Sequence, residues 1–380
     1  MRLLALSPTY RKSLIRDMAC LLLALLLGIE AIFLSDKLLT DLLLAAVNYG
    51  HGAGFLLRAS VLAMPEILAL GLPLALTMTV FLVLLHRREA GDFVALAQTG
   101  FAPGTVIGLS LGLGGLGFAA ALAIGGFLAP LAEHRLGMLL HQARFAVLTT
   151  GTPGIRNVID LDGATFLYHR LPPGDEASAR VFLHMPADAG DIRVITARDS
   201  HVRFEAPGGA GALSLTGAQV TGFSADAPPG LRRDLALQTA RMVYHADAFS
   251  VPPFPPRGSA AATLTLPELL APPAGLEAAA REAAVRMVLA AVLALISPLV
   301  AAAAMGLTRR AMVPLAGPAG VGLVLAGGFA IASVAERLAR FGLWEGIGLA
   351  LALGLVLAAL MSLVLALLGD ALLTPAQVRL

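Results

Sequence analysis

The chain has 380 residues, 57% of them hydrophobic and only 14% charged, with 27 basic against 25 acidic side chains. Soluble domains carry about 25% charged residues, so the composition excludes a water-soluble globule, and a net charge of +2 excludes a strongly basic nucleic-acid binder. A single cysteine, Cys20, excludes a disulfide framework and any multi-cysteine metal site.

In chain order, the first apolar segment runs from Met18 to Ser35 and is interrupted only by Glu30. It resembles a signal peptide in position, but no A-x-A-like cleavage site follows, so it reads as a retained anchor. The second segment is free of charge from Ile67 to Leu85, with Glu66 at its start. The third is free of charge from Phe101 to Ala132, long enough to tilt or to project beyond the bilayer. Met287–Thr308, Ala311–Ala335 and Gly346–Gly369 follow after a polar interval. Roughly 20 apolar residues cross a hydrocarbon core of about 30 Å, so six transmembrane helices are expected.

The polar interval is distinct. Between residues 140 and 275 lie 11 Arg, 12 Asp or Glu, and 14 of the 23 prolines. The expected organisation is therefore helices one to three in residues 1–139, a water-exposed domain in 140–275, and helices four to six in 276–380. The interval reads as β: FAVLTT (145–150), ATFLYH (164–169), VFLHM (181–185), IRVITAR (192–198), HVRFEA (201–206) and LSLTGAQVTGF (213–223) are short and often alternating. Gly, Pro and Asp clusters separate them, which argues for a sandwich, jelly roll or barrel. Residues 251–256, with four prolines, read as an extended return to the membrane.

Arginine and lysine placement orients the spans. Arg2, Arg11, Lys12 and Arg16 precede helix one, Arg87 and Arg88 follow helix two, and Arg309 and Arg310 follow helix four. With six spans these segments share one side, the cytoplasm. Both termini are then cytoplasmic, and the β-domain lies outside the cytoplasm, which in a Gram-negative cell means the periplasm.

The chemistry is mostly exclusion. A Walker A loop needs a lysine after glycine to contact nucleotide phosphates, and the only lysines, Lys12 and Lys37, follow Arg11 and Asp36. The chain therefore cannot be a P-loop ATPase, and no H-E-x-x-H or Cys-x-x-Cys pair suggests a metal. The glycine-rich run 108–126 lies inside a membrane span, where small residues permit close helix packing.

One loop is informative. In residues 86–100, Phe93, Leu96, Ala97 and Gly100 recur at helical spacing on one face, while Asp92, Ala95 and Thr99 share another. Acidic residues suit the first turn, and Gly100 followed by Pro103 ends the helix. Such a helix either lies on the membrane surface or fits a cytoplasmic partner as a coupling helix, near residues 87–100.

Pro65-Glu-Ile-Leu and Leu72-Pro-Leu-Ala-Leu, followed by an arginine-rich turn, an acidic helix and Ala97-x-x-Gly100, resemble the LptF/LptG permeases. These are the membrane subunits of the lipopolysaccharide-export ABC transporter. Arg281-Glu-Ala-Ala-Val-Arg286 resembles the family's approach to helix four. The resemblance implies six transmembrane helices with an inserted periplasmic all-β jelly-roll-like domain, in the inner membrane. It implies a second homologous permease subunit, a cytoplasmic ABC ATPase dimer, and periplasmic LptC/LptA-like jelly-roll proteins as partners, with lipopolysaccharide as cargo. ATP and Mg would bind the ATPase, and no cofactor would bind this chain. The family's loop reads Asp-Ser-Glu, with the Glu eight residues before the glycine, where this chain has Asp92. Glu89, Asp92, Phe93 and Leu96 are thus the candidates for ATPase coupling. Lys37, Arg58 and Glu30 are the candidates for the lipid head group, Lys37 also reading as a snorkelling lysine. Seven residues place Glu30 and Lys37 on one helix face.

A fourteen-carbon acyl chain in water would cost on the order of 10 kcal/mol, so the lipid must pass from bilayer to apolar cavity to apolar β-groove. Permeases of lipoprotein-release or peptide exporters tend to have four spans and a domain after the first helix, which the six-span count disfavours. A non-transporting scaffold with a docking domain has no need of a cytoplasmic knob.

Overall fold

The computed structural model describes residues 8–43, 46, 52–92, 103–150, 156–161, 164–169, 180–186, 192–197, 199–204, 211–223, 237–244, 254–307 and 313–373. Helix α1 (Pro8–Lys37) continues into a π-helical turn at Leu38–Leu42. Helix α2 spans Ala53–Glu89, and α3 (Pro103–Ala123) runs through a second π turn, Ile124–Leu128, into α4 (Ala129–Thr150). After the sheet come a short α5 (Leu266–Leu270), α6 (Glu277–Leu307), α7 (Val313–Ala339) and α8 (Leu343–Leu373).

Six stretches are long and apolar enough to cross a membrane: Lys12–Thr40, Ala53–Glu89, Val106–Ala143, Glu277–Gly306, Leu315–Ala339 and Leu343–Leu367. Each contains one of the six apolar segments, or most of it, and several extend well past it, because charged residues near helix ends keep their heads in the interface. With 37 residues, α2 is about 55 Å long at 1.5 Å per residue, well beyond the apolar core it crosses. Arg58 accordingly lies within α2 instead of preceding it.

The chain forms two compact units. The first comprises Met1–Asp36, Leu62–His134 and Arg257–Leu380, and the second Lys37–Val61 and Arg135–Pro256. In the first unit α2 and α6 are the interior helices: 67% of the most apolar window of each is buried, against 11% for α1. Val80, Phe81 and Leu84 of α2 meet Leu299, Ala302 and Met305 of α6, with Ala316 of α7 and Leu365 of α8 in the same cluster. The outer helices keep apolar side chains on their free faces, among them Leu23, Leu27, Ile32 and Phe33 on α1 and Leu355, Val356, Leu363 and Leu367 on α8. Leaving such a side chain in water forgoes about 1.5–3 kcal/mol of burial; hydrocarbon removes that penalty.

The second unit contains the sheet: β1 (Arg156–Leu161), β2 (Ala164–His169), β3 (Arg180–Pro186), β4 (Ile192–Ala197), β5 (Asp199–Phe204), β6 (Gly211–Phe223) and β7 (Leu237–Tyr244). The strand order is β1-β2-β3-β4-β6-β5, with β7 also paired to β6, and every pairing is antiparallel. Ile192 lies opposite Phe223 and Asp199 opposite Thr216, so β4 and β5 keep one register against β6. They lie along the same edge of β6, and the sheet is a meander. Among the described residues it has no Greek-key crossover, the connection from which a jelly roll is built.

The segment 145–150, expected as a strand, is the last part of α4. Its β-branched residues favour strand only weakly, and extending an existing helix adds a hydrogen bond per residue without a new nucleus. Two strands, β1 and β7, were not anticipated; Asn157, Asp160, Gln238 and Arg241 break their apolar pattern. Of the expected extended return, Phe254–Pro256 carry no regular structure, while 251–253 lie outside the described residues. Phe254 packs beside α4: its ring is 5.5 Å from that of His141, centroid to centroid, and fills the space over Gly137.

Candidate functional site

Three places in the fold collect the side chains of interest. The first is the C-terminal end of α2. Gly91 adopts φ +78°, the left-handed conformation in which helices commonly terminate on glycine, and its N–H donates to the Arg88 carbonyl at 3.2 Å. The chain therefore turns back, and Asp92 accepts a hydrogen bond from Nη1 of Arg87 at 2.9 Å. Nη2 of Arg87 donates to a carboxylate oxygen of Asp17 on α1 and, at 3.3 Å, to the Ser13 hydroxyl. The Arg87 side chain is only 16% exposed. Beside it, Nη1 of Arg88 donates to the Met305 carbonyl of α6 at 3.3 Å. Leu14 and Met18 of α1 and Val83 of α2 pack together in the same cluster.

The predicted coupling residues thus separate. Arg87, Arg88 and Glu89 belong to the last turn of α2. Asp92 is engaged within the chain, while Glu89 is exposed. Phe93 and Leu96 lie outside the described residues. Asp17 and Ser13 were not anticipated; the signal available was an acid four residues after a serine, set among Arg11, Lys12 and Arg16.

The second place is the Lys37 end of α1. Glu30 is buried on a helix whose neighbouring residues Ala31, Ile32 and Phe33 are exposed, and its Oε2 meets no hydrogen-bond donor among the described residues. Ionisable groups at membrane depth are costly and mark functional positions. Lys37 closes α1 and is half-buried. Arg58 is exposed on α2. Glu30 falls in the first compact unit, and Lys37 and Arg58 in the second.

The third place is the contact of α3 with α6. Pro298 lies inside α6 and supplies no N–H for the Ala294 carbonyl. The preceding Ser297 donates its hydroxyl to the Leu293 carbonyl at 2.6 Å. Gly114 and Gly117 of α3 abut this stretch: a Cβ on Gly114 would collide with the Leu295 carbonyl, and one on Gly117 would meet Ala294 O at 3.4 Å. Gly112 and Gly115 have open space around them. One face of the glycine-rich run therefore serves close packing. The spacing Gly108-x-Ser110-x-Gly112 resembles a nucleophile elbow, but that device needs a strand-to-helix turn, and Ser110 is buried inside α3.

Across the sheet, described side chains alternate: Ile195, Ala197 and Ala218 are buried, Thr196 and Gln219 exposed. Ile195 stands in a register row that crosses the whole meander, Ile159, Phe166, Leu183, Ile195, Val220 and Leu237. Directly opposed residues share a face, so every strand from β1 to β4, and then β6 and β7, places an apolar residue on the Ile195 face at this level.

Six apolar spans, two of them interior, with a sheet inserted between the third and fourth, define a multi-pass membrane protein. Residues 12–370 match the sequence model of the lipopolysaccharide export system permease LptF/LptG, and the chain belongs to that family. No curated protein matches it.

Proposed function

We propose that the chain is one permease subunit of an ABC transporter that extracts lipopolysaccharide from the inner membrane and passes it toward the outer membrane along its β-domain. The observation that carries this reading is the apolar register row of the sheet, continuous from Ile159 to Leu237. An acyl chain leaving the bilayer needs an unbroken apolar track, and a single polar strand would interrupt it at a cost of about 0.8 kcal/mol per exposed CH2. The β-domain lies in the periplasm by the positive-inside rule and serves as the link to LptC/LptA-like jelly-roll bridge proteins.

The energy comes from a partner. Neither lysine follows a glycine, so a cytoplasmic ATPase dimer supplies ATP hydrolysis, and ATP with Mg binds there. A second homologous permease completes the membrane block, since α1, α7 and α8 keep broad apolar faces free. The segment from Glu89 to Leu96 couples the ATPase to the helices. Within it Glu89, exposed at the end of α2, is the acid that faces the ATPase, while Asp92 turns inward to Arg87. Lys37, Arg58 and Glu30 serve the anionic head group at the entrance.

A photo-crosslinker placed at Leu183, Ile195 or Val220 in the assembled transporter is expected to capture lipopolysaccharide, and one at Thr196 or Gln219 is not. Equal capture from both faces, or capture of phospholipid alone, overturns this reading.

A further inference from the structure

We infer that Arg87 and Arg88 are positioning residues that fasten α1 and α6 to the root of the segment beginning at Asp92, so that a push on that segment moves three helices together. The inference rests on the reading of that segment as the ATPase contact.

The geometry divides the work between the two arginines. Successive helix residues point about 100° apart, so a tandem pair on the last turn of α2 reaches two different neighbours. Arg87 spends one guanidinium nitrogen on Asp17 and Ser13 of α1 and the other on Asp92. A planar fork can bridge two carboxylates, whereas a lysine ammonium is a single point of charge. Arg16 lies 3.8 Å from the second oxygen of Asp17, which offsets the excess of carboxylate. Arg88 takes the Met305 carbonyl. Met305 lies in the last described turn of α6.

Leu14 and Met18 of α1 pack with Val83, one turn before Arg87 on α2. α2 is already interior and packs on α6 through Leu84 and Met305. The arginines therefore add what packing alone lacks: a directional link from Asp92 to α1, and a second link from the same turn to the end of α6. Helix α1, with little of its surface buried, depends on that link most.

The experiment uses the full transporter in proteoliposomes, with Arg87→Gln, Arg88→Gln, Arg87→Lys and Leu96→Arg compared. Arg87→Gln is expected to raise amide exchange at residues 13–18 and leave 303–307 unchanged; Arg88→Gln is expected to do the reverse. Each is expected to cut lipopolysaccharide released per ATP hydrolysed by on the order of tenfold, the range of a coupling between sites, at an unchanged amount of assembled complex. Arg87→Lys is expected to restore the ratio in part. Unchanged exchange in both glutamine variants overturns the fastening, and an unchanged ratio per assembled complex overturns the transmission. Failure of the underlying reading is separate: it shows as intact assembly and coupling in Leu96→Arg, whatever Arg87→Gln does.

Discussion

Arg87 and Glu268 are single side chains that each tie together pieces of backbone far simpler than the whole fold. Glu268 accepts hydrogen bonds from the Thr265 N–H at 2.7 Å and the Thr265 hydroxyl at 2.6 Å, and from Arg257 at 2.5 Å. This capping box starts α5, whose Leu269 is buried with Leu264, Ala280 and Ala284. The Thr265 hydrogen bonds, and then the Arg257 charge, hold the Glu268 carboxyl below its ordinary value of 4.5. A group with a depressed folded-state pKa stabilises the fold above its unfolded value and loses that contribution as pH falls through the folded one. Wild-type protein is therefore expected to lose more thermal stability than Glu268→Gln as pH drops below 4.5. Melting curves in detergent between pH 6 and pH 3 check this, and parallel curves for the two proteins would refute it. At this scale the sequence was partly legible. Thr265-x-x-Glu268 is a capping signature in the sequence itself, and the acids around Gly91 were visible as candidates. Which acid turns inward was not, because Arg87 chooses Asp92 through a left-handed turn and a partner seventy residues away on α1.

Among the elements, α6 shows how a broken helix is accommodated in a membrane. Pro298 frees a backbone carbonyl, and hydrocarbon offers no water to satisfy it. The answer is close approach: Gly114 and Gly117 let α3 lie against the 294–295 backbone, where Cα–H groups can meet carbonyl oxygens. Replacing Gly114 by leucine would drive a side chain into the Leu295 carbonyl. The expected loss is about 1–3 kcal/mol, typical of overpacking, read as a lower melting temperature, while Gly115→Leu, with open space around it, is expected to be near neutral. Equal losses at both positions would contradict the packing. The apolar pattern made all six spans readable, since a run of that length admits few other structures. The strands were legible where hydrophobicity alternated, as in β4 and β6, and not where polar residues interrupt it, as in β1 and β7. The end of α4 was misread because local propensity is weaker than helix propagation.

For the whole molecule, the proposed orientation rests on charge. Arg87 and Arg88 end one span and Arg309 and Arg310 follow another, and the positive-inside rule predicts both pairs on the cytoplasmic side. A reporter joined after Tyr244 is expected to be active in the periplasm and silent in the cytoplasm; the opposite result would invert the topology and remove the β-domain from the lipid's path. The sequence by itself determined the apolar character and the number of the candidate spans, because these depend on local composition. Tertiary structure decided which helices are interior, which residues of the sheet stand in one register row, and which arginine holds which helix. Those are pairings between residues far apart in the chain: strand register aligns Ile159 with Leu237 across five strand pairings, and a turn at Gly91 brings Asp92 back to Arg87. Composition cannot specify such contacts, since each side chain has many chemically equivalent partners and only the folded backbone selects one.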